Sequence, residues 1–282
     1  MTPGTPGPQD PTGPARPTEP YEPDEPDEQR TARLLEGELR LQGRVMPASN
    51  ATFVAEIDGA RVVYKPVRGE RPLWDFPDHT LAGREVATYE LSVATGWDVV
   101  PPTVLRDGPH GPGMVQAWQE SDPEQSAVDV VRAGEVPPGW HHVFDGLDAA
   151  DEPVALVHED TAALRRMAVL DVVANNADRK GGHVLEMADG HRYGVDHGLT
   201  FHEEPKLRTV LWGWAGEPLL PDEVAVLERL EADLGGDLGE RLRRWVTPLE
   251  VVAARARCHA LLDDGHLPGP GEDWPVIPWP PF

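Results

Sequence analysis

One cysteine, Cys258, stands in 282 residues. An intrachain disulfide is therefore impossible, no Cys-based zinc site can be assembled, and no disulfide-linked partner is expected. Basic residues are also scarce, with Lys plus Arg at 25 against Asp plus Glu at 49, a formal charge of −24. A field of that sign repels nucleic acid and anionic lipid at long range, so neither is expected as a partner. No apolar run approaches the ~20 residues that span a bilayer. No basic segment followed by an apolar core opens the sequence, so no secretory leader is expected and a cytoplasmic setting is the default. No Walker motif is present, and no pair of histidines has the spacing of a helical zinc site.

Proline and glycine are plentiful, at 31 and 28, but they collect in the tails. Residues 1–28 are Pro, Gly, Thr and acid, too poor in apolar surface to offset chain entropy, and are expected to be a disordered leader. Residues 29–42 read as a short helix followed by a strand. Phe53–Ile57 and Ala60–Lys65 flank Asp58-Gly59, a two-residue turn that predicts a hairpin with residue 57 facing residue 60. Helical spacing predicts helices over Leu81–Thr95, Thr161–Asn175, Pro221–Leu234, Leu238–Trp245 and Pro248–Asp263. Strands are expected at Trp97–Leu105 and Met114–Trp118, with a turn at Gly111–Gly113. The stretch Ser126–Glu159 is mixed in pattern. Strands first and helices later predict an α+β protein with two lobes: an N-lobe over 29–118, a C-lobe over 119–266, and a tail over 267–282. That tail carries Trp274, Trp279 and Phe282, too much aromatic surface to stay in solvent, so it is expected to dock on its own domain or on a partner.

The chemistry collects between Leu170 and Leu199. An apolar helical run ends in Asn175-Asn176-Ala177-Asp178-Arg179-Lys180-Gly181-Gly182-His183, and a short hairpin then leads to Val195-Asp196-His197-Gly198. Two acids leaving the ends of rigid elements suit divalent-metal and phosphate chemistry. Phosphoryl transfer needs a cation on the phosphates, metal ligands, and a carboxylate beside the attacking oxygen. Lys65 can be the cation, Glu85 its ion-pair partner, Asp196 and His183 the metal ligands, and Asp178 the base or orienting group. Arg179 either neutralises phosphate or pins the turn. Asp171 reads as a hydrogen-bond partner within the structure, and His197 and His202 as structural. Gly43–Ala51, small and polar, is a candidate phosphate loop.

These motifs resemble the catalytic loop and metal motif of phosphatidylinositol 3-/4-kinase-like enzymes, and in particular small actinobacterial proteins of that kind. The resemblance covers roughly residues 40–220. It implies a two-lobed protein-kinase-like fold, ATP and Mg²⁺ (or Mn²⁺) as cofactors, and phosphotransferase activity. Asp178, with Arg179 and Lys180, corresponds to the catalytic loop, and His183 and Asp196 to the metal ligands. Lys65 and Glu85 correspond to the ion pair, Ser49, Asn50 and Ala51 to the phosphate loop, and Gln116, Ala117 and Trp118 to the adenine-binding hinge. One position departs from the pattern: His183 stands where these kinases have asparagine. The acidic charge favours a protein or small-molecule acceptor over a membrane lipid. Two alternatives stand beside an active kinase. One is a pseudokinase that binds nucleotide without transfer, and the other is a metal-dependent hydrolase built on Asp178, His183 and Asp196.

Overall fold

The computed structural model describes residues 27–46, 50–271 and 275–282, without the side chains of Asp27 and Glu28. The expected leader falls mainly on residues 1–26, outside that description. Asp27 and Glu28 instead open helix α1 (Asp27–Glu36).

The first half is a five-stranded antiparallel sheet of β1 (Leu39–Arg44), β2 (Phe53–Ile57), β3 (Ala60–Pro66), β4 (Thr103–Gly108) and β5 (Gly111–Ala117), in the order β1-β2-β3-β5-β4. The β2–β3 hairpin pairs Ile57 with Ala60. Its turn residues have φ of 50° at Asp58 and 85° at Gly59, the left-handed pair that matches strand twist. One face packs Ala55, Ile57, Val62, Tyr64, Val104, Val115 and Ala117 with Leu34 of α1. The Arg106 guanidinium ties α1 down by donating to the carbonyls of Leu34 (2.9 Å) and Gly37 (2.7 Å). The opposite face carries Val63 and Lys65, with Met114 directly across from Lys65.

Helix α2 (Leu81–Thr95) crosses that second face and is wedged against the helical half. Its first turn is closed from a distance: the Glu70 carboxylate accepts from the N–H groups of Leu81 (3.2 Å) and Ala82 (2.8 Å). This satisfies two orphan donors at the positive end of the helix. Arg84, fully buried, donates to Glu250 (2.6 Å) and to the Thr200 carbonyl (2.5 Å). Glu250 also caps helix α6 (Pro248–Asp264) by accepting the Thr247 N–H at 2.7 Å. One ion pair therefore locks α2 to the C-terminal helices.

The stretch Ser126–Glu159 is a second antiparallel sheet, β6 (Val128–Arg132), β7 (Trp140–Leu147) and β8 (Pro153–Glu159), in the order β6-β8-β7. Its pattern is obscured because β7 shifts register between His142 and Phe144. The expected strand at Trp97–Leu105 moves to Thr103–Gly108. The expected turn at Gly111–Gly113 is the start of β5, the bend lying one step earlier at Pro109-His110. Gly113 belongs in the strand because it lies against Tyr64 and the Lys65 carbonyl, where a β-carbon has no room. Within β8, His158 is fully buried and uses both ring nitrogens: Nδ1–H donates to the Glu159 carbonyl (2.9 Å), and Nε2 accepts from Gly213 N–H (2.9 Å). Burial pushes its pKa down to about 4, consistent with that neutral tautomer.

Helix α3 (Ala162–Ala174) is the centre of the larger core, with Leu164, Met167, Leu170 and Val173 buried. Thr161 caps its start, accepting from Leu164 N–H. Asn175 ends it in the left-handed region at φ 55°, a conformation asparagine tolerates. The short strands β9 (Val184–Glu186) and β10 (Arg192–Gly194) follow, then α4 (Pro221–Leu234), α5 (Asp237–Leu242) and α6. Helix α5 stops three residues short of the expected Trp245. Among the described residues no helix is long and apolar enough to cross a membrane.

Candidate active site

Lys65 leaves β3 and reaches two acids. Its Nζ lies 2.6 Å from Glu85 Oε1 on α2 and 2.7 Å from Asp196 Oδ1 after β10. The other Glu85 oxygen accepts the His197 N–H at 2.9 Å, so one buried carboxylate holds both the lysine and the turn of the second acid. Asp196 itself sits at φ 61°, in the left-handed region. The Lys65 ammonium holds its carboxyl well below the usual carboxylate range, and the two acids raise the Lys65 pKa against the opposing effect of burial. Burial raises Glu85.

His183 faces the same acid. Its Nδ1–H donates to the Asp178 carbonyl at 2.9 Å, so the neutral ring presents the Nε2 lone pair, 3.3 Å from Asp196 Oδ2. Burial pushes the His183 pKa down to about 4. At neutral pH no proton lies between Nε2 and Oδ2, and two lone pairs converge on one space. That donor set fits a divalent cation. Imidazole plus carboxylate accommodates Mn²⁺ more readily than Mg²⁺, and two protein ligands leave the remaining positions to phosphate and water. Among the described residues no group of three or more His, Cys, Asp and Glu side chains could hold a metal.

Asp178 is held on a rigid frame. Its N–H donates to Asn176 Oδ1 (3.0 Å), and Asn176 Nδ2 donates to Asp171 (2.9 Å). Burial raises the Asp178 pKa. Lys180 stands 3.8 Å away. Arg208, whose Nε donates to the Ala177 carbonyl, is a further cation felt by Asp178. It lies thirty residues on, with no motif around it in sequence.

Arg179 is turned into the protein interior. It is fully buried, and all five of its donors are used: two on Asp171 (2.8 and 2.9 Å), one each on the carbonyls of His183 and Val195, and one on His197 Nε2 (2.6 Å). Of the two roles considered for it, pinning the turn is the one the geometry permits. His197 is a neutral acceptor in this network.

The phosphate loop and hinge are less well met. Ser49 lies outside the described residues. Asn50 Oδ1 accepts from Arg71 N–H (2.8 Å), and Ala51 N–H donates to the Gly69 carbonyl (3.1 Å), so both residues brace the turn after Lys65 and the Ala51 backbone donor is spent there. At the hinge, Gln116 shares the Lys65 face of the sheet, but its amide is given to Thr103 Oγ1 (2.8 Å). Ala117 faces the other core, and its N–H is taken by the Pro102 carbonyl. The Trp118 N–H is taken by Arg61, and its indole donates to Glu120 (3.0 Å). The next residue, Gln119, has a buried Nε2 with no hydrogen-bond partner among the described residues, a donor that spacing does not single out.

Comparison with known structures defines the class first. The Golgi casein kinase crystal structure superposes with a TM-score of 0.53 at 15% identity, covering 86% of this chain and 75% of that one. The fold is kinase-like: a sheet lobe, a helical region, and the Lys65, Asp178 and Asp196 elements between them. The Helicobacter pylori proinflammatory kinase CtkA superposes with a TM-score of 0.38 at 9% identity, covering 81% of this chain and 97% of that one. No family model matches the chain. In sequence it is 49% identical over 264 residues to Protein Rv2133c of Mycobacterium tuberculosis (strain ATCC 25618 / H37Rv), covering 89% of this chain and 95% of that protein. The chain belongs to the Rv2133c family.

Proposed function

We propose that this protein is an ATP-dependent phosphotransferase of atypical kinase type. Its likeness to phosphatidylinositol 3-/4-kinases lies in motif order, and its acceptor is not a membrane lipid. The observation that carries this is the convergence of Lys65, His183 and Asp196 on one space, with Asp178 fixed beside it through the His183–Asp178 hydrogen bond. Lys65 is positioned to exchange Asp196 for nucleotide phosphate while Glu85 keeps it in place. Asp178 orients the acceptor hydroxyl and takes its proton, helped by a pKa raised towards the working range. Lys180 offsets charge on the transferred group. His183 and Asp196 hold the divalent ion, which when bound neutralises phosphate charge. A hydrolase does not explain why Lys65 and Glu85 are tied into the same cluster. A nucleotide-binding module without transfer is the second reading, favoured by His183 alone.

Thermal unfolding with ATP tests the nucleotide site. Free nucleotide at a hundredfold its Kd adds about 2.7 kcal/mol. For a chain of this size that corresponds to a Tm rise of roughly 5–10 °C. The rise is expected with Mn²⁺ or Mg²⁺ present and is expected to shrink under chelation. No rise with either metal would overturn both nucleotide readings.

A further inference from the structure

Beyond α6 the chain runs through Pro268-Gly269-Pro270-Gly271, and from Pro275 to Phe282 it lies across the catalytic turn. The Val276 carbonyl accepts from Thr209 N–H (3.0 Å) and from Trp212 Nε1–H (2.8 Å). The Pro281 carbonyl accepts from Gly181 N–H (2.8 Å). The Phe282 ring covers Gly181 so closely that a β-carbon at that position would strike it. Thr209 is itself bridged to Arg179 in parallel, so the Pro281 contact falls on the turn that carries Asp178 and Lys180, and the Val276 contact falls on the segment paired with it.

An acceptor must bring an oxygen to Asp178. A polypeptide that does so in extended form needs donors for its own carbonyls. The N–H groups of Gly181 and Thr209 are such donors, and Pro275–Phe282 already uses them. The segment is suited to occupy the groove without being consumed there. It has four prolines, which bring no N–H to satisfy and little entropy to lose, and it has no Ser, Thr or Tyr. Among the described residues its anchors are few: three hydrogen bonds, buried Pro278 and the Phe282 ring, with Trp279 80% exposed. Such a contact holds chiefly because it is tethered, at an effective concentration on the order of millimolar.

We propose that Pro275–Phe282 is a resident occupant of the acceptor groove, and that the acceptor is an extended polypeptide which takes its place over Gly181 and Thr209. This rests on the phosphotransferase reading. In the transfer step the acceptor hydroxyl oxygen bonds to the γ-phosphorus while the bond from that phosphorus to the β–γ bridging oxygen breaks. ADP leaves with the electron pair, and the hydroxyl proton passes to Asp178.

The test uses a fluorescein-labelled synthetic peptide of the sequence 275–282, titrated by anisotropy into the full chain and into a chain ending at Gly271. The shortened chain is expected to bind it saturably, and the full chain at least ~10-fold more weakly, since the tethered copy competes. Equal affinity for the two chains, or no binding to either, would overturn the proposal. The same peptide carrying Trp279→Ser is expected to take label from γ-labelled ATP on the shortened chain. Binding without labelling counts against phosphotransfer and leaves the groove occupied as described. Absent binding, with ATP still raising Tm, removes the groove and leaves the nucleotide site. If circular dichroism shows that the shortened chain does not fold, the full chain with Phe282→Ala replaces it. That variant is expected to admit the peptide more tightly than the unaltered chain, and unchanged affinity would overturn the proposal.

Discussion

Asp196→Asn is expected to remove the metal-dependent part of nucleotide binding and to lower phosphoryl transfer by ~10³-fold, the scale at which loss of one preorganised charge contact registers. Asparagine is the informative substitution. Asp196 sits at φ 61°, which asparagine tolerates and alanine does not, so Asp196→Ala would confound lost charge with backbone strain. The amide keeps the shape of the carboxylate but cannot neutralise a cation beside His183 Nε2. Lys65 keeps Glu85 as a partner in the variant but loses Asp196, so it is the metal dependence of binding, and not the rate by itself, that reports on the ion. The check is the ATP-induced Tm rise with and without Mn²⁺, read beside the initial rate of transfer. The unaltered chain should show a metal-dependent difference and Asp196→Asn none. An unchanged metal dependence would place the ion elsewhere.

Arg179→Ala is expected to cost stability instead of chemistry, by about 3–5 kcal/mol, the range for breaking one partner of a buried ion pair. Arg179 and Asp171 are 0% and 1% exposed, so the removed guanidinium leaves a buried carboxylate with only Asn176 to answer it. It also strands the Val195 carbonyl and the acceptor nitrogen of His197, and leaves the His183 carbonyl with the Val195 N–H as its remaining donor. Lysine does not rescue the site, since one ammonium cannot serve five acceptor positions in a fork geometry. Against a typical total of ~5–15 kcal/mol, the loss is roughly a fifth of the stability or more. Denaturant unfolding should show the midpoint falling with little change in slope. A stable Arg179→Ala protein with ordinary nucleotide binding but no transfer would return Arg179 to the catalytic machinery.

What could be read from the sequence was what is local. The Asp58-Gly59 hairpin, α2 over Leu81–Thr95 and α4 over Pro221–Leu234 each announce themselves in a few consecutive residues. The three-stranded sheet over 128–159 does not, because β6 pairs with β8 across an intervening strand and β7 carries a register shift. The same division runs through the site. Asp178, His183 and Asp196 lie on one contiguous motif, and β3 and α2 carry Lys65 and Glu85 to it. The burial of Arg179, the approach of Arg208, and the placement of Pro281 on the catalytic turn and of Val276 on the segment paired with it depend on segments far apart in sequence. Spacing carried no trace of them. The hinge position rested on order along the chain and the phosphate loop on its small, polar composition beside Lys65, and there the backbone donors of Ala51, Ala117 and Trp118 are already spent within the fold.

Transfer from γ-labelled ATP by the unaltered chain and by Asp178→Asn, followed as a function of pH, tests the central claim most directly. General-base assistance is worth about 10²–10⁴-fold. Burial raises the Asp178 pKa, so the carboxylate is lost as pH falls through a value above the ordinary aspartate range. The unaltered chain should therefore transfer label at neutral pH and lose activity on acidification along that limb. Asp178→Asn should bind ATP with similar affinity, transfer at least ~10²-fold more slowly, and lack the limb. Equal rates and the same pH profile in both proteins would contradict the account.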